Sequence, residues 1–116
     1  METLPPFQRI NLKELSQRIT ADYQNFIVNE VNESCLHLAV MTGTYPWHRH
    51  PEADELFLVL EGELIIEFKE HEAVTLQPFE IFTIPAGVIH RTRTLQRTVN
   101  LCFEHTQAAT EFINEL

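Results

Sequence analysis

An all-β domain, a sandwich or barrel carrying one short helix, is what this sequence predicts. Short apolar runs rich in β-branched residues recur with turn residues between them about every eight to twelve positions, the spacing of hairpin-connected strands. The segment ELFLVLEGELIIEF supplies two such strands around a single Glu-Gly pair. Helical spacing of apolar residues is confined to the N-terminal region, and no period of about 20 to 50 residues marks a repeat architecture.

The elements follow in chain order. After Pro5-Pro6, Asn11 with Glu14 three residues later forms a helix-start signature, and Leu12, Leu15 and Ile19 continue it at helical spacing, predicting a short helix over residues 11–20. Phe26–Val31 and Ser34–Met41 form a hairpin turned at Asn32. Gly43 and Pro46 interrupt the pattern before Trp47, and Pro51–Asp54 interrupts it again, so His48 and His50 are expected on a short strand between turns. The next hairpin turns at Glu61-Gly62, where glycine accepts a positive φ. Its first arm is apolar on both faces, Leu56, Leu58 and Leu60 against Phe57 and Val59, which calls for outer cover from the N-terminal segment or a partner subunit. Ala73–Leu76 and Glu80–Ile84 are further strands, Pro85-Ala86-Gly87 a turn before His90, and Arg97–Glu104 a separate last strand. The tail TQAATEFINEL is expected to make a helical turn or to fray.

Composition narrows the class of function. A chain of 116 residues, 44% hydrophobic and 22% charged, is expected to fold as one domain (1–116) around one core. A net charge of −9 repels phosphate backbones and anionic lipid surfaces, so neither nucleic acid nor membrane is an expected partner. The cluster Arg91, Arg93 and Arg97 fits solvated, outward strand positions. No apolar run approaches the ~18 residues of a membrane span, and METLPPFQRI lacks the basic and apolar regions of a signal peptide, so a soluble, cytoplasmic protein is expected. Cys35 and Cys102, far apart among apolar neighbours, are expected to be reduced core thiols.

The chemistry concentrates in four residues. Strand alternation points His48 and His50 the same way, two imidazoles about 7 Å apart along the backbone. The turn at 51–54 can return the Glu55 carboxylate beside them, and His90 follows the Pro-Ala-Gly turn. Three nitrogens and one carboxylate suit Fe, Mn, Ni, Co, Cu or Zn and leave coordination positions open. His48-x-His50, four residues, Glu55, six residues and Gly62 resemble the first motif of the cupin family, and Pro85-x-Gly87-x-x-His90 resembles its second. The two motifs cover residues 43–100, within a core of about 43–104 flanked by an N-terminal arm (1–22) and a tail (105–116). The chain departs from the family pattern in three places. Gly43 lies one residue nearer to His48, Phe79-Glu80 stands where Gly-Asp is usual, and Thr94 where Asn is frequent.

This resemblance implies a double-stranded β-helix, or jelly-roll, barrel in which His48, His50, Glu55 and His90 hold one divalent metal. An inward carboxylate and three inward imidazoles are costly to bury unpaired, and a cation removes that cost. Asp54 and Glu52 are expected to face solvent or to support the site from outside. Tyr45 and Trp47 flank the site's mouth, and Phe57, Phe82 and Phe103 are candidates for its apolar lining. His37, His71 and His105 have no partner at ligand spacing and are given no role. No Ser-His-Asp or Cys-His pairing is legible, which leaves covalent catalysis without support. The leading expectation is a metal-dependent protein that binds or activates a small oxygen-bearing molecule or dioxygen. The alternatives are a non-catalytic ligand-binding or sensing module, and a sugar or sugar-phosphate isomerase. The doubly apolar strand at Leu56–Leu60 predicts a homodimer.

Overall fold

The computed structural model describes residues 3–114. It contains one helix, α1 (Leu12–Gln17), and eight strands: β1 (Tyr23–Val31), β2 (Ser34–Arg49), β3 (Glu55–Glu61), β4 (Leu64–Phe68), β5 (Val74–Leu76), β6 (Ile81–Ile84), β7 (His90–His105) and β8 (Glu111–Phe112). Every strand pairing is antiparallel, and the main path runs β1-β2-β7-β3-β6, with β4 joining β7 to β5. Among the described residues no helix is long and apolar enough to cross a membrane.

Two expectations about strand length are corrected, and both corrections shape the site. β2 does not stop at Gly43 and Pro46, and His90 does not belong to a different strand from Arg97–Glu104: β2 and β7 are each 16 residues long. Their N- and C-terminal halves serve different parts of one sheet, β7 pairing with β3 through Val99–Glu104 and with β4 through His90–Arg93. Gly43, at φ 119°, bends β2 without ending it, and its N–H donates to Thr94 Oγ1 at 3.0 Å. Thr94 in turn donates to the Met41 carbonyl at 3.3 Å, so the residue that replaces the usual Asn buttresses this bend. Pro46 falls within a register shift between Tyr45 and His48, where a missing N–H leaves no ladder bond unmade.

Helix α1 is shorter than residues 11–20. Asn11 caps it, accepting from the Glu14 N–H at 3.0 Å, but after Gln17 the chain tightens into i→i+3 bonds, Arg18 N to Leu15 O and Ile19 N to Ser16 O. Arg97 donates to the Ser16 carbonyl at 2.7 Å and so ties the helix end to β7. Leu15 and Ile19 pack with Phe26, Val28, Leu38, Val40, Val99 and Leu101 on the outer face of the sheet, and Leu58 and Leu60 pack against that cluster. The cover that β3 requires is therefore supplied in large part by the chain's own N-terminal segment. Burying Leu15 and Ile19 there contributes roughly 1.5–3 kcal/mol each. The barrel interior holds the second cluster: Met41, Phe57, Val59, Leu64, Ile66, Leu76, Ile84 and Cys102.

Two turns show how local conformation is enforced. A Cβ on Gly62 (φ 86°) would lie 2.6 Å from Thr98 Oγ1 and 2.7 Å from the Arg97 carbonyl, so only glycine closes the β3–β4 hairpin. Phe79, where the family usually carries glycine, adopts φ 69° all the same. Pro78 precedes it and Glu80 N donates to Gln77 O at 3.0 Å, the arrangement of a type II turn. Phe79, its side chain exposed, holds this strained conformation with its backbone N–H donating to the Val59 carbonyl at 2.7 Å.

The tail neither coils into a helical turn nor frays across the described residues. β8 pairs with the end of β2, Phe112 opposite His48 and Glu111 opposite Arg49, and Ile113 N donates to Trp47 O at 3.0 Å. The end of β2 exposes an unpaired edge, and the tail satisfies it.

Candidate metal centre

The inward direction of the first two histidines depends on the bulge in β2. From Cys35 to Tyr45 the odd-numbered side chains of β2 line the interior, as His37, Ala39, Met41 and Tyr45 do. Tyr45 pairs with Thr92 and His48 with His90, so three steps along β2 answer two along β7. The extra residue reverses the alternation and brings the even-numbered His48 and His50 inward, while Trp47 turns out beneath Lys69 and Arg91 at 4.2 and 4.7 Å from its ring centroid. The outward arginines are paired, Arg91 and Arg93 with Glu67 and Arg97 with Glu61.

Two backbone contacts join the motif loops. Gly87 N donates to the His50 carbonyl at 2.8 Å, and Ala86 N donates to Asp54 Oδ1 at 2.8 Å. Asp54 thus clamps the Pro85–Gly87 turn onto the 51–54 loop, while Glu52 stays exposed. With the loops fixed, Glu55 at the head of β3 and His90 at the head of β7 meet His48 and His50. All four are buried, and one ligand atom from each lies within 4.8 Å of the others.

The imidazoles are oriented by the main chain. His48 Nδ1 faces the Pro46 carbonyl at 2.8 Å, His50 Nδ1 the Ala109 carbonyl at 3.0 Å, and His90 Nδ1 the Val88 carbonyl at 2.9 Å. A carbonyl only accepts, so each Nδ1 carries a proton, and in its neutral form each ring turns an Nε2 lone pair inward. Glu55 Oε1 lies 3.2 Å from Nε2 of both His50 and His90. His50 Nε2 is buried without a hydrogen-bond partner. A carboxylate oxygen and three imidazole lone pairs converging in a buried space fit a divalent cation, and this group is able to hold one.

Charge among these four side chains themselves is finely divided. Burial, reinforced by His90, pushes His48 down to about 4. The Glu55 carboxylate outweighs burial at His50 and pushes it up to about 9. Burial opposes ionisation of Glu55, but His50 and His90 together hold its carboxyl well below the usual range. Without a metal, then, one proton on His50 serves as the counter-charge to Glu55.

Several residues of the site were not legible as such. Cys102 donates its thiol to Glu55 Oε2 at 2.9 Å, leaving Oε1 toward the histidines. Glu104 lies opposite Glu55 in the β3–β7 ladder, and burial followed by the Glu55 charge pushes its carboxyl up to about 7. The tail contributes the Ala109 carbonyl and sets Phe112 6.1 Å from the His48 ring. Tyr45 meets His48 edge-on at 5.0 Å. Of the three candidate lining phenylalanines, Phe57 is buried in the wall and Phe82 packs on the interior cluster. Phe103 faces outward and is 42% exposed, because odd-numbered side chains of β7 point away from the interior. His37 bonds Asn25 Oδ1 at 2.8 Å, His105 accepts from Gln107 N, and His71 lies edge-on to Phe68.

The family model described as a cupin domain matches residues 36–101. This chain belongs to the cupin family. A relative from Bacillus subtilis (strain 168), the uncharacterized protein YdbB, is 50% identical over 90% of this cupin and 93% of its own length. A cupin-2 domain containing protein from Shewanella frigidimarina superposes with a TM-score of 0.78 at 29% identity, covering 83% of this chain and 93% of that one. The cupin also resembles 3-hydroxyanthranilate 3,4-dioxygenase of Bos taurus, 36% identical over 52% of this chain and only 22% of the dioxygenase.

Proposed function

We propose that this cupin holds one divalent transition metal ion (Fe, Mn, Ni, Co, Cu or Zn) through His48, His50, Glu55 and His90, and that the open side of the ion binds or activates a small oxygen-bearing molecule or dioxygen. The observation that carries the reading is the inward convergence of three Nε2 lone pairs, each fixed by a carbonyl on Nδ1, around Glu55 Oε1. A bound ion supplies Lewis acidity, or with iron a place for substrate and dioxygen to meet. The protein's part is to hold imidazole tautomers, to aim one carboxylate oxygen through Cys102, and to exclude bulk water with Tyr45 and Phe112. The partial likeness to a dioxygenase supports the dioxygen branch.

Metal analysis by inductively coupled plasma mass spectrometry tests the reading. Wild-type protein is expected to carry close to one ion per chain and His50→Ala to lose it; neither protein taking up metal after reconstitution overturns the proposal. A second reading, a ligand-binding or sensing module with a structural ion, is favoured by Phe112 packing at the mouth against His48. Azide titration of the Co(II)-loaded protein separates the two, since a closed structural site gives no spectral change. A homodimer is proposed through the outer-face apolar side chains Ile81 and Phe103, and a monomer mass by light scattering at micromolar concentration overturns it.

A further inference from the structure

We infer that the tail segment 109–113 is a displaceable strap: in place it fixes the His50 ring for metal ligation, and lifted it frees that ring and opens the centre to the outside. This rests on the metal reading above and adds a regulating element to the same site. The three imidazoles do not depend on their carbonyls equally. His48 and His90 each face a carbonyl two residues away in the same stretch of chain, Pro46 and Val88, whereas His50 faces that of Ala109, 59 residues further on. The first two partners travel with their histidines. The third is delivered by the tail.

The tail is lightly held. Among residues 105–114 no side chain is buried. β8 is two residues long, and it is fastened by main-chain pairing with β2 at His48 and Arg49, by the Ile113 N–H on the Trp47 carbonyl, and by an ion pair between Glu111 and Arg49. An exposed ion pair holds little, and a segment with few apolar contacts opens locally at far lower cost than the core does. Nearer to β7 the chain is tied more firmly. Thr106 donates twice to the Glu33 carbonyl, through its N–H at 2.8 Å and its hydroxyl at 2.9 Å, and Ala108 N donates to His105 O at 3.0 Å. That turn is the hinge, and 109–113 is the part that swings. Gln107, Ala108 and Ala109 line an outer groove of about 620 Å³, while Thr110 lines the inner cavity of about 220 Å³ that His48, His50 and Glu55 border. The tail is thus a wall between the two spaces, and lifting it joins them.

Such coupling is reciprocal: if closing the strap tightens metal binding, metal binding closes the strap by the same factor. Hydrogen exchange at the Ile113 amide of the full-length wild-type protein reads the strap directly, because it proceeds by local opening and is indifferent to stability gained elsewhere. It is expected to be about tenfold slower in the Zn(II)-loaded protein than in the metal-free one. The double variant Glu111→Ala, Ile113→Pro removes the ion pair and the N–H without altering a metal-ligating or buried side chain. Loss of Zn(II) from it to a chelator is expected to be about tenfold faster than from wild type. Equal Ile113 exchange in the two forms, or an unchanged release rate in the double variant, overturns the inference, and Zn(II) uptake in the same samples leaves the metal reading standing. Failure to take up Zn(II) at all removes both.

Discussion

The two sides of the candidate metal centre are built differently. On the histidine side every ring is aimed by a backbone carbonyl: Pro46, Ala109 and Val88 fix His48, His50 and His90. On the carboxylate side Glu55 is aimed by a side chain, Cys102, and faces a second, half-buried carboxylate, Glu104. A carbonyl stays in place through almost any single substitution, whereas a thiol is removed by one. The ligating directions of the imidazoles are therefore a property of the fold, and that of Glu55 a property of sequence.

The largest expected effect follows from losing the carboxylate itself. Glu55→Gln keeps shape but removes the charge that three neutral imidazoles leave to it, and metal uptake is expected to fall below detection by metal analysis. Retention of stoichiometric metal in this variant would show that the histidine side suffices, and the asymmetry would then have no bearing on binding.

The two sides also differed in how far they could be read from sequence. His48, His50, Glu55 and His90 stand out because their spacing is local to two short motifs, and local spacing needs no knowledge of strand pairing. Cys102 and Glu104 are twelve and fourteen residues beyond His90 on the same strand, with the same inward parity. Parity could have linked them to His90 had β7 been recognised as continuous. The Leu95-Gln96 stretch, exposed at the bend, breaks the apolar pattern and conceals that continuity. The bulge at Pro46-Trp47 hides β2 in the same way. The tail was illegible for another reason: a two-residue strand has no periodicity, and its pairing partner, the edge of β2, exists only in the folded barrel. The hairpins at Asn32 and Gly62 and the helix start at Asn11 were legible because turn and cap chemistry are set by adjacent residues.

Cys102 offers the next sharpest break. Cys102→Ala frees Glu55 Oε2 and leaves it buried without a donor, and metal affinity is expected to drop about 10–100-fold, the usual effect of removing a ligand's supporting partner. Cys102→Ser, which retains a donor, is expected to recover most of that loss. Competition with a chelating dye measures both. If the alanine variant binds as the wild type does, the thiol is core packing only, and the carboxylate side is as robust as the histidine side.

The pH dependence of the metal-free protein tests the charge division between the sides. His50, pushed up to about 9 from 6.5 chiefly by Glu55, contributes stability that is full below pH 6.5 and lost as pH rises through 9. Glu104, pushed up to about 7, acts in the same sense: its protonated form is the favoured one, and its contribution is lost between 4.5 and 7. His48, pushed down to about 4, works oppositely, stabilising above pH 6.5 and losing that contribution as pH falls through 4. Above pH 6.5 the His50 effect stands nearly alone, on the order of 3 kcal/mol by pH 9. A metal bound as proposed would take the place of the His50 proton, so calorimetry is expected to show the melting temperature of the metal-free protein falling from pH 6.5 to 9 and that of the loaded protein holding. Parallel curves would mean that His50 is not the site's counter-charge.

The smallest effect is expected on the histidine side, at Thr110. Its hydroxyl lies 3.4 Å from His50 Nδ1, but the Ala109 carbonyl is nearer at 3.0 Å, and Nδ1 has one hydrogen to give. The tail is anchored independently of Thr110, by Ile113 N on the Trp47 carbonyl and by the pairing of Phe112 and Glu111 with β2, so the carbonyl keeps its place without the hydroxyl. Thr110→Ala is accordingly expected to leave metal affinity within about twofold of wild type, far less than Cys102→Ala even though both residues touch a ligand. A loss of tenfold or more would make the threonine hydroxyl the true partner of His50. The histidine side would then hang on a side chain as the carboxylate side does.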